Sequence, residues 1–87
     1  PDLVSGVEIK TLDGAKTYNT FSSQISSGAG KKGLTCLVID VSQNPYVSDE
    51  QATEWVARRI GRYPHIQRAF VIGHGKQMIR INNPRND

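Results

Sequence analysis

Residues 34–41 read LTCLVIDV, apolar throughout except for Thr35 and Asp40. A strand with one wet face alternates apolar and polar side chains, whereas a short, nearly continuous apolar run suits a strand covered on both faces. The segment is therefore expected near the centre of a sheet. Helical patterns flank it. Before it, within residues 17–26, Tyr18, Phe21 and Ile25 fall at spacings of three and four and give one apolar stripe. After it, SQNPYV reads as a loop, because Pro45 pushes Asn44 out of the helical region.

The following stretch, SDEQATEWVARRIGRY, carries a helix signature. Ser48 is the N-cap, Gln51 its capping-box partner, and Asp49 and Glu50 sit in the first turn, where the helix dipole favours acids. Ala52, Trp55, Val56 and Ile60 form the stripe expected to be buried. Arg58, Arg59 and Arg62 point mostly to solvent, and Gly61 with Pro64 ends the helix.

Further out, VEIKTL is a strand with PDLV as its hairpin partner, and SSQISSGAGKKG is a helix end and loop. RAFVIG and QMIRI are two strands around the tight turn HGK. The order hairpin, helix, strand, helix, hairpin defines an α/β domain: a small mixed β-sheet with two flanking helices.

At 87 residues the chain is expected to be one domain, residues 1–87, close to the lower size limit for a self-sufficient core. Its first residue is Pro rather than Met, which reads as an N-terminally incomplete fragment of something longer. Cys36 is the only cysteine, so no internal disulfide forms, and its place in an apolar strand suits a buried thiol. No apolar run approaches the roughly 18 residues of a membrane span and no signal-peptide pattern is present, so no membrane insertion is expected. Eleven Lys and Arg against 8 Asp and Glu give a net charge of +3, a modest lean toward polyanions.

The chemistry-bearing residues cluster at the start of the chain. Along the strand VEIKTL, Glu8 and Lys10 point one way and Val7 and Ile9 the other, which is expected to be the core. Asp2 joins Glu8 if the connection over Ser5, Gly6 and Val7 has three residues, or if a bulge lies near Leu3. A regular two-residue turn would place it opposite Ile9. Two carboxylates are hard oxygen ligands that suit Mg²⁺ or Mn²⁺, with Lys10 placed to orient an attacking water or stabilise a pentavalent anion. The plain structural reading is an exposed Glu–Lys pair of little energetic consequence.

Secondary candidates are Lys31 and Lys32 as phosphate contacts, Thr11 and Gln24 near the metal face, and His74 of GHGK as a general acid or base. Against these stand solvated loops and ordinary turn residues. His65 has less claim. Asp40 reads as a cap at a strand end.

PD followed by EIK resembles, residue for residue, the motif of the PD-(D/E)XK nuclease superfamily, carried by Pro1, Asp2, Glu8, Ile9 and Lys10. VEIKTL, the Ser- and Gly-rich helix end with KKG, LVIDVS and RAFVIG together resemble the C-terminal tRNA-cleaving domain of CdiA-type contact-dependent growth inhibition toxins. The resemblance implies metal held by Asp2, Glu8 and the main-chain carbonyl of Ile9, with Lys10 acting on the nucleophilic water. It implies a core lacking the superfamily's N-terminal helix and strand, since the acidic residue usually supplied from that helix has no counterpart here. It further implies a toxin presented or secreted at the bacterial cell surface, delivered to a target cell's cytoplasm, cleaving tRNA, and blocked in its producer by a cognate immunity protein. The competing readings are a DNA endonuclease using the same site and a noncatalytic module that binds nucleic acid or a partner.

Overall fold

The computed structural model describes residues 6–31 and 33–83. In chain order it contains β1 (Val7–Thr11), α1 (Tyr18–Ala29), β2 (Cys36–Asp40), α2 (Asp49–Ile60), β3 (Arg68–Ile72) and β4 (Met78–Asn82). The strands form one mixed sheet in the order β1-β2-β3-β4, with the first two pairings parallel and the last antiparallel. This is the small α/β architecture expected from the sequence. The hairpin partner expected in PDLV falls outside the described residues.

Both parallel crossovers carry a helix and step across the sheet in the same direction. Right-handed crossovers then place both helices on one face. α1 and α2 accordingly pack against each other, with the Trp55 ring edge-on to Phe21 at 5.1 Å and to Tyr18 at 5.9 Å. Beneath them lie the sheet side chains Leu37, Ile39, Ala69 and Val71, all fully buried. The described residues thus form two layers, and among them no helix lies on the other face of the sheet.

β2 itself is an inner strand buried on both faces, as expected: Leu37 and Ile39 lie under the helices, and Cys36 and Val38, on the other face, are only 7% and 6% exposed. Two expectations need correction. Val7 and Ile9 do not enter the core; they lie on that same open face, Ile9 at 62% exposure, while Glu8 and Lys10 turn toward α1 and are half-buried. The first helix also runs on to Ala29, through the Ser- and Gly-rich stretch read as loop. Gly28 and Ala29 are buried there, and such packing offsets the low helix propensity of Gly.

The caps follow local chemistry. Thr17 accepts from Thr20 N at 3.3 Å and Ser48 from Gln51 N at 3.1 Å. Two buried asparagines tie the loops to the core. Asn44 donates from Nδ2 to the carbonyls of Leu12 and Ala15 at 2.6 and 2.9 Å, and its Oδ1 accepts from the N–H groups of Tyr46 and Val47. Asn83 donates from Nδ2 toward the carbonyls of Ile60, Tyr63 and Ile66 at the end of α2. Arg59 differs from its expected solvent role: its guanidinium donates to Ser26 Oγ at 2.9 and 3.0 Å and locks α2 to α1.

Candidate functional site

Glu8 and Lys10 share the helix-side face of β1, which is an edge strand among the described residues. Both stems run beneath Gly28 of α1. A Cβ at residue 28 would stand 3.3 Å from Lys10 Cε, 3.6 Å from Glu8 Cγ and 3.3 Å from Leu37 Cδ1. The glycine therefore makes room for the two side chains to lie under the helix. Glu8 Oε2 accepts from Lys31 Nζ at 3.0 Å, with the Glu8 side chain 22% and the Lys31 side chain 55% exposed. The Glu8 carboxylate thus meets the Lys31 ammonium at the rim of the sheet, with the Lys10 stem alongside beneath Gly28.

The main chain adds an oxygen. Gly6 O accepts from Cys36 N at 2.8 Å, and Leu12 N donates to Asp40 O at 2.9 Å. In a parallel ladder every second residue turns its peptide groups to the neighbour, so the even-numbered residues of β1 face β2. Those of Val7, Ile9 and Thr11 face away from β2, toward the side where no strand lies among the described residues. The Ile9 carbonyl is therefore directed outward, on the same short segment as the Glu8 carboxylate.

Lys31 also lines an open groove of about 420 Å³ together with Gly30, Gly33, Leu34, Thr35 and His65. His65 Nε2 lies 2.8 Å from the Ala29 carbonyl, which fixes the ring at the end of α1. The groove begins where the Glu8–Lys31 pair ends.

The remaining candidates are distributed differently. Gln24 is exposed one helical turn before Gly28, on the same side of α1. Thr11 is exposed on the open face with Ile9, so it points away from Lys10. His74 sits beyond the C-terminal end of β3, whereas Lys31 leads into the start of β2; the parallel strands therefore hold the two at opposite ends of the sheet. There His74 Nδ1 lies 2.7 Å from Asp49 Oδ1 and Nε2 2.6 Å from the Asn44 carbonyl. Asp40 Oδ1 accepts from Ser42 N at 2.9 Å, as a cap. Asp2 and Lys32 lie outside the described residues.

As a cation site, the described part offers the Glu8 carboxylate and the outward Ile9 carbonyl. These are hard donors that suit Mg²⁺ or Mn²⁺, which take one or two protein carboxylates. Among the described residues no three His, Cys, Asp or Glu side chains gather as a ligand cluster, so this part supplies one carboxylate of the expected pair. No helix in it is long and apolar enough to cross a membrane.

Sequence reasoning missed the groove beside Lys31, the buried Asn44 hub and the Asp49–His74 contact. Only the first had a signal, in the Gly-rich GAGKKG.

Comparison with known proteins gives no relative. No family model matches the chain, and no curated protein or solved structure matches it.

Proposed function

We propose that this chain is a metal-dependent endoribonuclease of the PD-(D/E)XK kind, acting on tRNA as a delivered bacterial toxin with a cognate immunity protein. The observation that supports it is the Glu8–Lys31 contact on β1, with Lys10 on the same face beneath Gly28 and an open groove beside Lys31. The toxin role, the tRNA substrate and the immunity partner come from the sequence resemblance.

In this reading Glu8 and the Ile9 carbonyl, with Asp2 as the resemblance implies, hold a Mg²⁺ or Mn²⁺ ion. When bound, such an ion polarises the phosphoryl oxygen and lowers the pKa of a bound water. Lys10 would orient the attacking water and offset the charge that builds on the phosphorus oxygens. Lys31 neutralises Glu8 in the free protein and, more exposed than its partner, swings to a substrate phosphate when Glu8 is otherwise engaged.

Incubating the chain with Mg²⁺ and separate tRNA and DNA pools tests the reading. It predicts cleavage of tRNA, abolished by EDTA. Cleavage of DNA alone overturns the tRNA assignment, and no cleavage of either overturns the nuclease assignment.

A further inference from the structure

The helix-free face of the sheet carries exposed apolar side chains at its two outer strands, Ile9 on β1 and Met78 on β4, 62% and 56% exposed, and two arginines on β3 and β4. Phe70 is half-buried and stands directly opposite Arg80 across the β3–β4 pairing, and Arg68 lies two residues before it on the same face. Both arginines are exposed, and neither has an ion pair among the described residues. Among the described residues the acid on this face is Asp40, engaged with Ser42 N. Phe70 thus lies between Arg68 and Arg80 in the register of the sheet.

We infer that this open sheet face binds single-stranded nucleic acid, with a base stacked on Phe70 and neighbouring phosphates met by Arg68 and Arg80. The choice of RNA over DNA rests on the proposed nuclease reading; the binding itself rests on the sheet face. A single strand exposes planar apolar faces and anionic phosphates in alternation, which is what a ring flanked by guanidinium groups complements. A double helix hides its base faces. A second copy of this chain would bring two arginines per copy to the interface against the single described acid Asp40, an unfavourable excess of buried cations. β1 carries Ile9 on this face and Glu8 on the opposite, helix-side face, so a bound strand would have to turn around β1 to reach the candidate site.

The test is fluorescence anisotropy with a labelled ten-nucleotide RNA of mixed sequence, its duplex and the matching single-stranded DNA, in EDTA so that nothing is cleaved. Single-stranded RNA is expected to bind at least tenfold more tightly than duplex. Arg68→Gln and Arg80→Gln should each weaken binding severalfold and flatten the log–log salt dependence by about 0.7, the value for one phosphate contact on a single strand. Phe70→Leu, which keeps the surface apolar, should weaken binding about fivefold or more without changing that slope.

Equal binding of duplex, or unchanged affinity in the Arg68→Gln/Arg80→Gln double variant, overturns the inference. So does displacement of RNA by polyglutamate at equal charge, which would mark a surface for an acidic polypeptide, or self-association abolished by Ile9→Glu, which would mark a dimer face. DNA bound more tightly than RNA overturns the choice of RNA. Face-dependent RNA binding without cleavage in Mg²⁺ sinks the nuclease reading and supports the platform; cleavage with face-independent binding does the reverse.

Discussion

His74 closes onto Asp49, the first residue of α2, with its Nδ1 2.7 Å from the carboxylate and its main-chain N–H 3.0 Å from the same oxygen. Its Nε2 faces the Asn44 carbonyl, so both ring nitrogens meet acceptors and only the imidazolium can donate to both. The Asn44 carbonyl first, and Asp49 second, raise the His74 pKa above 6.5. The His74 main-chain N–H is the main cause that holds Asp49 below 3.8.

The sign of the pH effect follows. The His74 contribution to stability is full below about 6.5 and is lost as pH rises through its higher folded value; that of Asp49 is full above about 3.9 and is lost as pH falls through its lower folded value. The melting temperature should rise as pH is lowered from 8 toward 6, and His74→Ala should remove that rise. An unchanged pH profile in the variant would count against the contact.

Gly73 stands against the same carboxylate: a Cβ there would come within 2.6 Å of Asp49 Oδ2. Gly73→Ala should displace Asp49 and destabilise the protein by about 1–2 kcal/mol. An NMR titration should show the His74 pKa falling back toward its ordinary value. A variant that keeps the wild-type titration would show that the carboxylate had not moved.

Asn44 joins the loop after β1 to the loop after β2 through two hydrogen bonds to Leu12 and Ala15, and accepts two more from Tyr46 and Val47 within its own loop. Asn44→Ala strands two carbonyls and two N–H groups around a fully buried position, at a cost of about 3 kcal/mol. Urea denaturation should show a lower midpoint at unchanged slope. A loss under about 1 kcal/mol would mean that water replaces the side chain.

Lys31→Met separates stability from function. The Glu8–Lys31 pair is partly exposed, Lys31 by 55%, so solvent screening leaves it worth no more than about 0.5 kcal/mol. The melting temperature should barely change, while on the proposed nuclease reading tRNA cleavage falls about tenfold or more. A large stability loss with unchanged cleavage per folded molecule would make Lys31 a structural residue.

The elements that sequence exposes are those fixed by local chemistry. Ser48 caps α2 because a hydroxyl at that position satisfies an N–H of the first turn, and β2 forms where apolar β-branched residues run together. The facing of β1 was not legible. Alternation says that Glu8 and Lys10 share a side; which side lies under a helix depends on both crossovers packing together, and that depends on distant residues such as Ser26 and Arg59. The same holds for Asn44, whose loop composition suits a turn and gives no sign that Leu12 and Ala15 will present their carbonyls to it. At the candidate site the Glu8–Lys10 pairing was readable from spacing. The room beneath Gly28 and the contact to Lys31, 23 residues away, needed the folded chain.

The most direct test of the central claim is calorimetric titration of Mn²⁺ into the wild type and Glu8→Ala. A divalent ion gathered at the β1 rim predicts saturable binding near one ion per chain in the wild type, lost in the variant while its melting temperature stays within a few degrees. Equal weak heats in both proteins would contradict it.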